Sequence, residues 1–536
     1  MRFWIDRHGC AKNDVDGEEM AARLEAAGHG YSELPAEADL IIVNTCGFIE
    51  DAKKESIEAV LALKAAYPGK RILVAGCLAQ RYADELAADL PEADGILGNA
   101  DLAQVLAAAE ATLSGERPVI APEAAPSIGT VRRGRRFDFP GTAHVKATEG
   151  CSNGCSYCAI PLIRGRLRSR EIADVLAECL ELVAQGVREL VLIGQDLGSY
   201  GRDSGGDSRL PQLLAGLSAS DADFRARTLY IHPDHFPEGI LKVMAADPRL
   251  VPYFDLPFQH ASARILAAMN RKGSGERYLE LIARIRAELP DAAIRSTFLL
   301  GFPGEAEADF EELRAFQEAA RLDWAGTFAY SREEGTVAYG MRGLPTRKAV
   351  AARRAAIEEA QERITRERLG RFVGRELEVL VEENILPTLG GRRDGAAAEN
   401  ILPTLGGQRD GAAAENILPT LGGRRDGAAA ENILPTLGGR RDGAAAENIL
   451  PTLGGRRDGA AAENILPTLG GRRDGAAAER VATADEAEEE LSLGRAWNQA
   501  PEVDGLTVLR GSHRPGAIVR ARVLAVNGVD FDAVPV

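Results

Sequence analysis

Three cysteines, Cys151, Cys155 and Cys158, lie close together in the stretch EGCSNGCSYCAIPLIRGRLRSR. The CxxxCxxC spacing is tight enough for all three thiolates to face one ion or cluster. A structural zinc ion takes four ligands, so a zinc site here would need a distant Cys or His as well. Buried reduced thiols with no metal are a second plain reading. A 4Fe–4S cube has four irons and normally four thiolates; held by three, it keeps one iron open to a substrate or cofactor. Three further cysteines, Cys10, Cys46 and Cys77, are spread over the N-terminal region. The seventh, Cys179, lies in the helical stretch ADVLAECLELVAQG and reads as a core thiol.

The elements around the scattered cysteines explain how they could meet. Residues 1–112 alternate strand and helix. FWID leads to Cys10, the segment from Val15 to Ala27 has helical spacing, and DLIIVNT ends at Cys46. An amphipathic helix from Glu50 to Ala66 follows, and RILVAGC ends at Cys77. This βαβαβ pattern predicts an open parallel sheet. Each cysteine falls just past the carboxyl end of a strand, the edge where such sheets bind ligands. A joint metal site is expected there.

Residues 113–142 are rich in Pro, Gly and Arg and read as a linker, with RRGRR as a solvated run. From 143 to 368, six strand–helix units predict a partial (β/α)6 barrel of the TIM type. Its strands are expected at AHVKAT, ELVLIGQ, TLYIHP, YFDLPF, AIRSTFLLG and WAGTFAYS, with the active site at their carboxyl ends. The three-cysteine loop follows the first strand. Gln195, Gln259 and the stretch STFLLGFPGE, with Gly301 and Glu305, fall at later strand ends and are candidate cofactor contacts. Ordinary loop hydrogen bonding is the equal alternative for Gln259 and His260. Arg164, Arg166, Arg168 and Arg170 alternate just after the cluster loop. One of them could hold a carboxylate through its planar fork, or all could form a solvated stripe.

Residues 370–536 read as a small antiparallel β-barrel. It is interrupted at 383–478 by six tandem copies of a sixteen-residue unit, ENILPTLGGRRDGAAA, one of which carries Gln408. The chain is thus α/β in class: an open parallel-sheet domain, a TIM-like partial barrel and a small β-barrel with a repetitive insertion.

The whole chain has 536 residues, 45% of them hydrophobic, and a net charge of −16. That balance argues against a duplex nucleic-acid binder with a broad basic face; it suits a basic protein partner. No run approaches the length of a membrane span, and MRFWIDRHGC has no signal-peptide core. A cytoplasmic protein is expected. Seven cysteines are too few for a disulfide scaffold and fit metal ligands in a reducing compartment. No P-loop pattern is present.

CxxxCxxC with Tyr157 just before its last cysteine resembles the radical S-adenosylmethionine superfamily. The resemblance implies a 4Fe–4S cluster on Cys151, Cys155 and Cys158. Its open iron would bind the amino and carboxylate groups of S-adenosylmethionine, and an electron would then release a 5′-deoxyadenosyl radical. GCAKNDVDGEEM, VNTCGFIEDAKKESIEAV and AGCLAQRY resemble the N-terminal domain of the methylthiotransferases. There, Cys10, Cys46 and Cys77 would hold a second 4Fe–4S cluster carrying a sulfur species. The C-terminal barrel resembles a TRAM domain; the repeat array is not part of the family pattern. One branch of the family modifies tRNA adenosines. The other places a methylthio group on the β-carbon of an aspartate in small-subunit ribosomal protein uS12, a strongly basic protein. NTCGFIEDAKKESIEA, QDLGSYGRD and GRAWNQAPEVDG resemble the second branch; tRNA enzymes more often carry Gln-Asn where this chain has Gln195-Asp196. An electron donor and a sulfur donor are implied as further partners. The tRNA enzyme remains the alternative within the family, and an iron–sulfur electron carrier the alternative outside it.

Overall fold

The computed structural model describes residues 1–123, 131–385 and 490–536. The repeat array therefore lies outside the described residues, except for Glu383, Asn384 and Ile385 at its start.

The N-terminal sheet has six parallel strands. Arg2–Arg7 lies between Gly30–Tyr31 and Leu40–Thr45, and Arg71–Gly76, Gly95–Gly98 and Val119–Ile120 continue beyond the latter. Both faces are covered, which is why LIIVNT is apolar for four consecutive residues. Ile41 and Val43 meet Ile57, Val60 and Leu63 of the helix Glu50–Ala66. Leu40 and Ile42 meet Met20, Ala21 and Leu24 of the helix Ala11–Ala26.

The second sheet is also parallel, with its six strands in sequence order: Thr142–Lys146, Glu189–Ile193, Arg225–Thr228, Leu250–Asp255, Ala293–Leu300 and Trp324–Ala329. One face packs on the intervening helices; Cys179 is fully buried there, as a core thiol should be. The other face presents Val191, Ile193, Val251, Tyr253 and Trp324. It packs against Ala11 and Val15 of the N-terminal helix and against Phe372, Ala496 and Phe531 of the C-terminal region. The open side of the partial barrel is thus closed by the two flanking domains.

The C-terminal strands Glu376–Ile385, Leu491–Ala496, Thr507–Arg510, Ile518–Asn527 and Asp530–Pro535 form a closed barrel. It is antiparallel except where Thr507–Arg510 runs parallel to Asp530–Pro535. Glu376–Ile385 and Leu491–Ala496 are antiparallel neighbours, paired as far as Ile385 opposite Leu491. The segment holding the repeats therefore joins two strand ends that are already adjacent.

Two expectations need correction. The third barrel strand is Arg225–Thr228 and not TLYIHP, which mostly follows it; the fourth starts at Leu250, ahead of YFDLPF. The arginines of RART, which lies ahead of TLYIHP, are buried in this strand at Arg225 and Arg227. Both pair with Glu189 at 2.8 Å, and Arg495 of the C-terminal barrel reaches the same carboxylate at 3.1 Å. The RRGRR run is likewise not simply solvated. Arg133 is buried and holds Glu18 of the N-terminal helix, Glu178 of a barrel helix and the carbonyl of His144. A guanidinium with three acceptors in different elements fixes a domain boundary, which composition alone cannot reveal.

Candidate active site

Cys10, Cys46 and Cys77 stand at the carboxyl ends of three adjacent strands. Cys10 caps the helix Ala11–Ala26, Cys46 directly follows Thr45, and Cys77 opens the helix Cys77–Arg81. The backbone there is drawn tight by glycine. A Cβ on Gly9, at φ +104°, would stand 3.2 Å from Cys46 Sγ. A Cβ on Gly76, at φ +96°, would stand 2.5 Å from Asn44 Oδ1 and 2.6 Å from Thr45 O. Gly76→Ala is accordingly expected to cost about 1–3 kcal/mol through backbone strain and clash, read from denaturant unfolding, and to move Cys77. Asn13 ties the three strand ends together. Its amide donates to His8 O at 2.9 Å and Thr45 O at 3.0 Å, while its Oδ1 accepts from the Cys77 thiol at 3.2 Å.

The second trio lies in the loop after the first barrel strand. Cys151 N donates to Gly165 O at 3.1 Å and Cys158 N to Cys155 O at 3.1 Å, folding the loop on itself. Asn153 in the loop donates to Asp196 Oδ2 at 2.8 Å. Burial opposes ionisation of Asp196, but His235, His232, Ser199 and Asn153 hold its carboxyl well below the usual range. Cys155 Sγ lies 3.9 Å from His232 Nε2.

All seven cysteines are free thiols. Burial pushes Cys151 and Cys158 up to about 12, and raises Cys46, Cys77 and Cys155 as well. Within each trio the neighbouring sulfurs add to the rise. Buried thiolates crowded in this way are stabilised by cationic metal, and loading must expel their protons. Among the described residues, no three Cys, His, Asp or Glu side chains gather closely enough to hold a single metal ion. A cube presents a different iron to each thiolate and sets its ligands round a larger body, so the all-sulfur donor sets fit 4Fe–4S clusters.

Arg164 links the two trios. It ends the helix Ile160–Arg164, which starts two residues after Cys158, and is fully enclosed. One amino group reaches Asn13 Oδ1 at 2.6 Å, Asp16 Oδ2 at 2.8 Å and Cys77 Sγ at 3.2 Å; the other reaches Glu149 Oε1 at 3.0 Å. Cys77 also packs on Ala159 and Ile163 of the same segment. Of the other alternating arginines, Arg170 is buried on Glu178, Arg166 is exposed, and Arg168 donates to Arg164 O at 3.3 Å.

The candidate cofactor contacts line the same edge in different ways. Gln195 donates to Glu149 Oε1 at 2.9 Å, and its own buried Oε1 has no hydrogen-bond partner among the described residues. The Tyr157 hydroxyl accepts from Arg271 at 3.2 Å. Gln259 has a left-handed backbone, φ +68°, and bridges to the neighbouring strand at Phe298. His260 is buried; Nδ1 accepts from Ala261 N and Ser262 N, and Nε2 has no hydrogen-bond partner among the described residues. Glu305 is wholly buried and clamps the turn at Gly301: it accepts from Gly301 N at 2.7 Å and Phe302 N at 3.2 Å, and pairs with Arg353 at 2.7 Å. Lys12, Asn13, Asp16, Glu149 and Arg271 were not singled out from sequence. The only signal was the density of polar residues in GCAKNDVDGEEM, which a helix end on the surface would also show.

Three family models match in order along the chain: Uncharacterized protein family UPF0004 at residues 2–98, the Radical SAM superfamily at 145–316 and the TRAM domain at 481–536. A ribosomal protein uS12 methylthiotransferase RimO of Treponema denticola is 38% identical over 99% of this chain and 100% of its own length. The chain belongs to the RimO family. RimO proteins of Pelotomaculum thermopropionicum and Symbiobacterium thermophilum are 41% and 43% identical, over 73% and 70% of this chain and 89% and 78% of their own lengths. As a RimO-family radical SAM enzyme it is a methylthiotransferase and not an iron–sulfur electron carrier. Among the described residues no helix is long and apolar enough to cross a membrane.

Proposed function

We propose that this chain transfers a methylthio group to the β-carbon of one aspartate in ribosomal protein uS12. Cys151, Cys155 and Cys158 would hold one 4Fe–4S cluster, with S-adenosylmethionine on its open iron. Cys10, Cys46 and Cys77 would hold the second. When bound, the two clusters supply a one-electron reductant and open iron positions for S-adenosylmethionine and for sulfur. The observation carrying this reading is Arg164, which touches Cys77 while anchored to Glu149, two residues before Cys151. One guanidinium thus ties Cys77 to the short strand that leads into the three-cysteine loop, a joint that a reaction using both trios needs.

The remaining residues position these loops. Asp196 holds the cysteine loop through Asn153, Gln195 steadies Glu149, and Arg271 orients Tyr157. Glu333 is a second interdomain tie, bonding Lys53 at 3.0 Å and Arg81 at 2.6 Å, and Ala338 N donates to Ser156 O at 2.8 Å behind the loop. The net charge of −16 favours a basic protein partner over tRNA. An external electron donor and a sulfur donor complete the partners, and the cytoplasm is where ribosomal protein, reductant and thiols coexist.

Deletion of the gene should remove a methylthio mass from uS12 and leave tRNA adenosines unchanged. Mass spectrometry of both from the deletion and parent strains decides this; loss of the modification from tRNA alone would overturn the reading.

A further inference from the structure

Two buried cations of this region lack a carboxylate among the described residues. Arg271 is spanned by two oxygens, Tyr157 Oη at 3.2 Å and Pro257 O at 2.7 Å. Lys12 is the more exposed to unmet demand, although it is 8% accessible. Its Nζ donates to a single acceptor, Gly194 O, at the long distance of 3.5 Å, and otherwise sits 3.3 Å above the Tyr230 ring. An ammonium has three donors, and burying it with one marginal hydrogen bond and an aromatic face is poorly compensated. Its placement adds to the cost: Lys12 lies in the first turn of the helix Ala11–Ala26, the end that favours anions over cations.

Cys10 is the strongest anionic influence on it, with weaker ones from Asp255 and Glu149, but no carboxylate bonds it among the described residues. Asp16 and Glu149 are both taken by Lys146 and Arg164. Asp255 is taken by Arg295 at 3.0 Å and by Tyr230 N at 3.1 Å. Lys12 leaves the N-terminal domain two residues after Cys10 and reaches the carboxyl ends of the barrel strands at Gly194 and Tyr230. The next residues, Gln195 and Asp196, hold the three-cysteine loop through Glu149 and Asn153. The group therefore reaches from the Cys10 end of its helix to the barrel strand ends that support the three-cysteine loop.

We propose that Lys12 binds the side-chain carboxylate of the substrate aspartate and selects an acidic residue as the group to be modified. This rests on the uS12 reading and deepens it: an adenine base offers an ammonium only neutral ring-nitrogen acceptors, whereas a carboxylate supplies an anion that can bond it directly, next to the carbon that reacts.

The test uses the full-length enzyme with both clusters reconstituted, purified uS12, and uS12 with its target aspartate changed to asparagine. The wild type is expected to prefer the aspartate protein, and Lys12→Met to lower kcat/KM for it about 30- to 100-fold, the range of a charge-assisted hydrogen bond. The loss should fall mainly on KM, and the preference for aspartate over asparagine should shrink by the same factor. Binding of the two uS12 proteins to the cluster-free enzyme gives a second readout and should lose the same discrimination. Iron content of Lys12→Met should match the wild type. An equal loss for both substrates, unchanged discrimination, or a fall in iron that accounts for the lost activity would overturn the proposal, the last by making Lys12 a partner of the cluster. A wild-type enzyme that modifies neither protein would instead refute the uS12 reading.

Discussion

Replacing Cys151, Cys155 and Cys158 together by alanine is expected to abolish cleavage of S-adenosylmethionine and to leave about four of about eight irons per reconstituted chain, since two cubes of four give the total. The complementary change at Cys10, Cys46 and Cys77 should also halve the iron, yet retain cofactor cleavage and lose only methylthio transfer. The two outcomes differ because the trios sit on different sheets, one at the ends of Arg2–Arg7, Leu40–Thr45 and Arg71–Gly76, the other after Thr142–Lys146. Loss of all iron in either variant would show that the sites are one, and full retention would show that the cysteines are not ligands. Loading has a pH dependence whose sign is fixed by burial. Cys46, Cys77, Cys151, Cys155 and Cys158 hold their protons more firmly than a free cysteine, with Cys151 and Cys158 near 12. Metal must displace those protons, so iron uptake should weaken as pH falls. Iron and sulfide assays across pH check this directly.

Glu189→Gln is expected to be the most destabilising single change in the barrel. The carboxylate is fully buried and receives Arg225, Arg227 and Arg495. Arg495 is also held by Glu382 of the C-terminal barrel, so the cluster joins two domains. Neutralising Glu189 leaves Arg225 and Arg227 without a counterion, and one buried uncompensated charge costs about 3–5 kcal/mol. A fall in chemical stability with earlier detachment of the C-terminal barrel, seen by hydrogen exchange, is the expected result; a change within about 0.5 kcal/mol would refute it. Burial would raise the Glu189 carboxyl, but Arg225, Arg495 and Arg227 hold it well below the usual range. A depressed acid contributes stability that is complete above its unfolded value, about 4.3, and is lost as pH falls toward its folded value. The variant should therefore show a shallower loss of stability below about pH 4 than the wild type.

The cysteine pattern was legible because ligand spacing and strand ends are local properties. CxxxCxxC needs only one loop, and Cys10, Cys46 and Cys77 each terminate an apolar strand that announces itself by composition. The parallel order of both sheets followed from strand–helix alternation in the same way. What escaped was charge that is buried by pairing. Arg225 and Arg227 obscured a strand, Arg133 turned an expected solvated run into an interdomain clasp, and Arg164 could be either a fork for a carboxylate or part of a wet stripe until its partners were located. Those partners are 148 residues away in the case of Asp16 and 270 in the case of the Arg495 carbonyl that Arg225 meets. No window of sequence contains both members. Glu305 shows the converse: its place in GFPGE suggested a cofactor contact, and the structure has its carboxylate bracing the Gly301 turn.

Pairing of Ile385 with Leu491 has an evolutionary corollary. Tandem units sited between two points that are stitched side by side can be gained or lost by replication slippage without altering the distance between those points. For a flexible connection, closure becomes harder by only about 0.6 kcal/mol per doubling of length. Copy number can thus change while Ile385 and Leu491 stay paired.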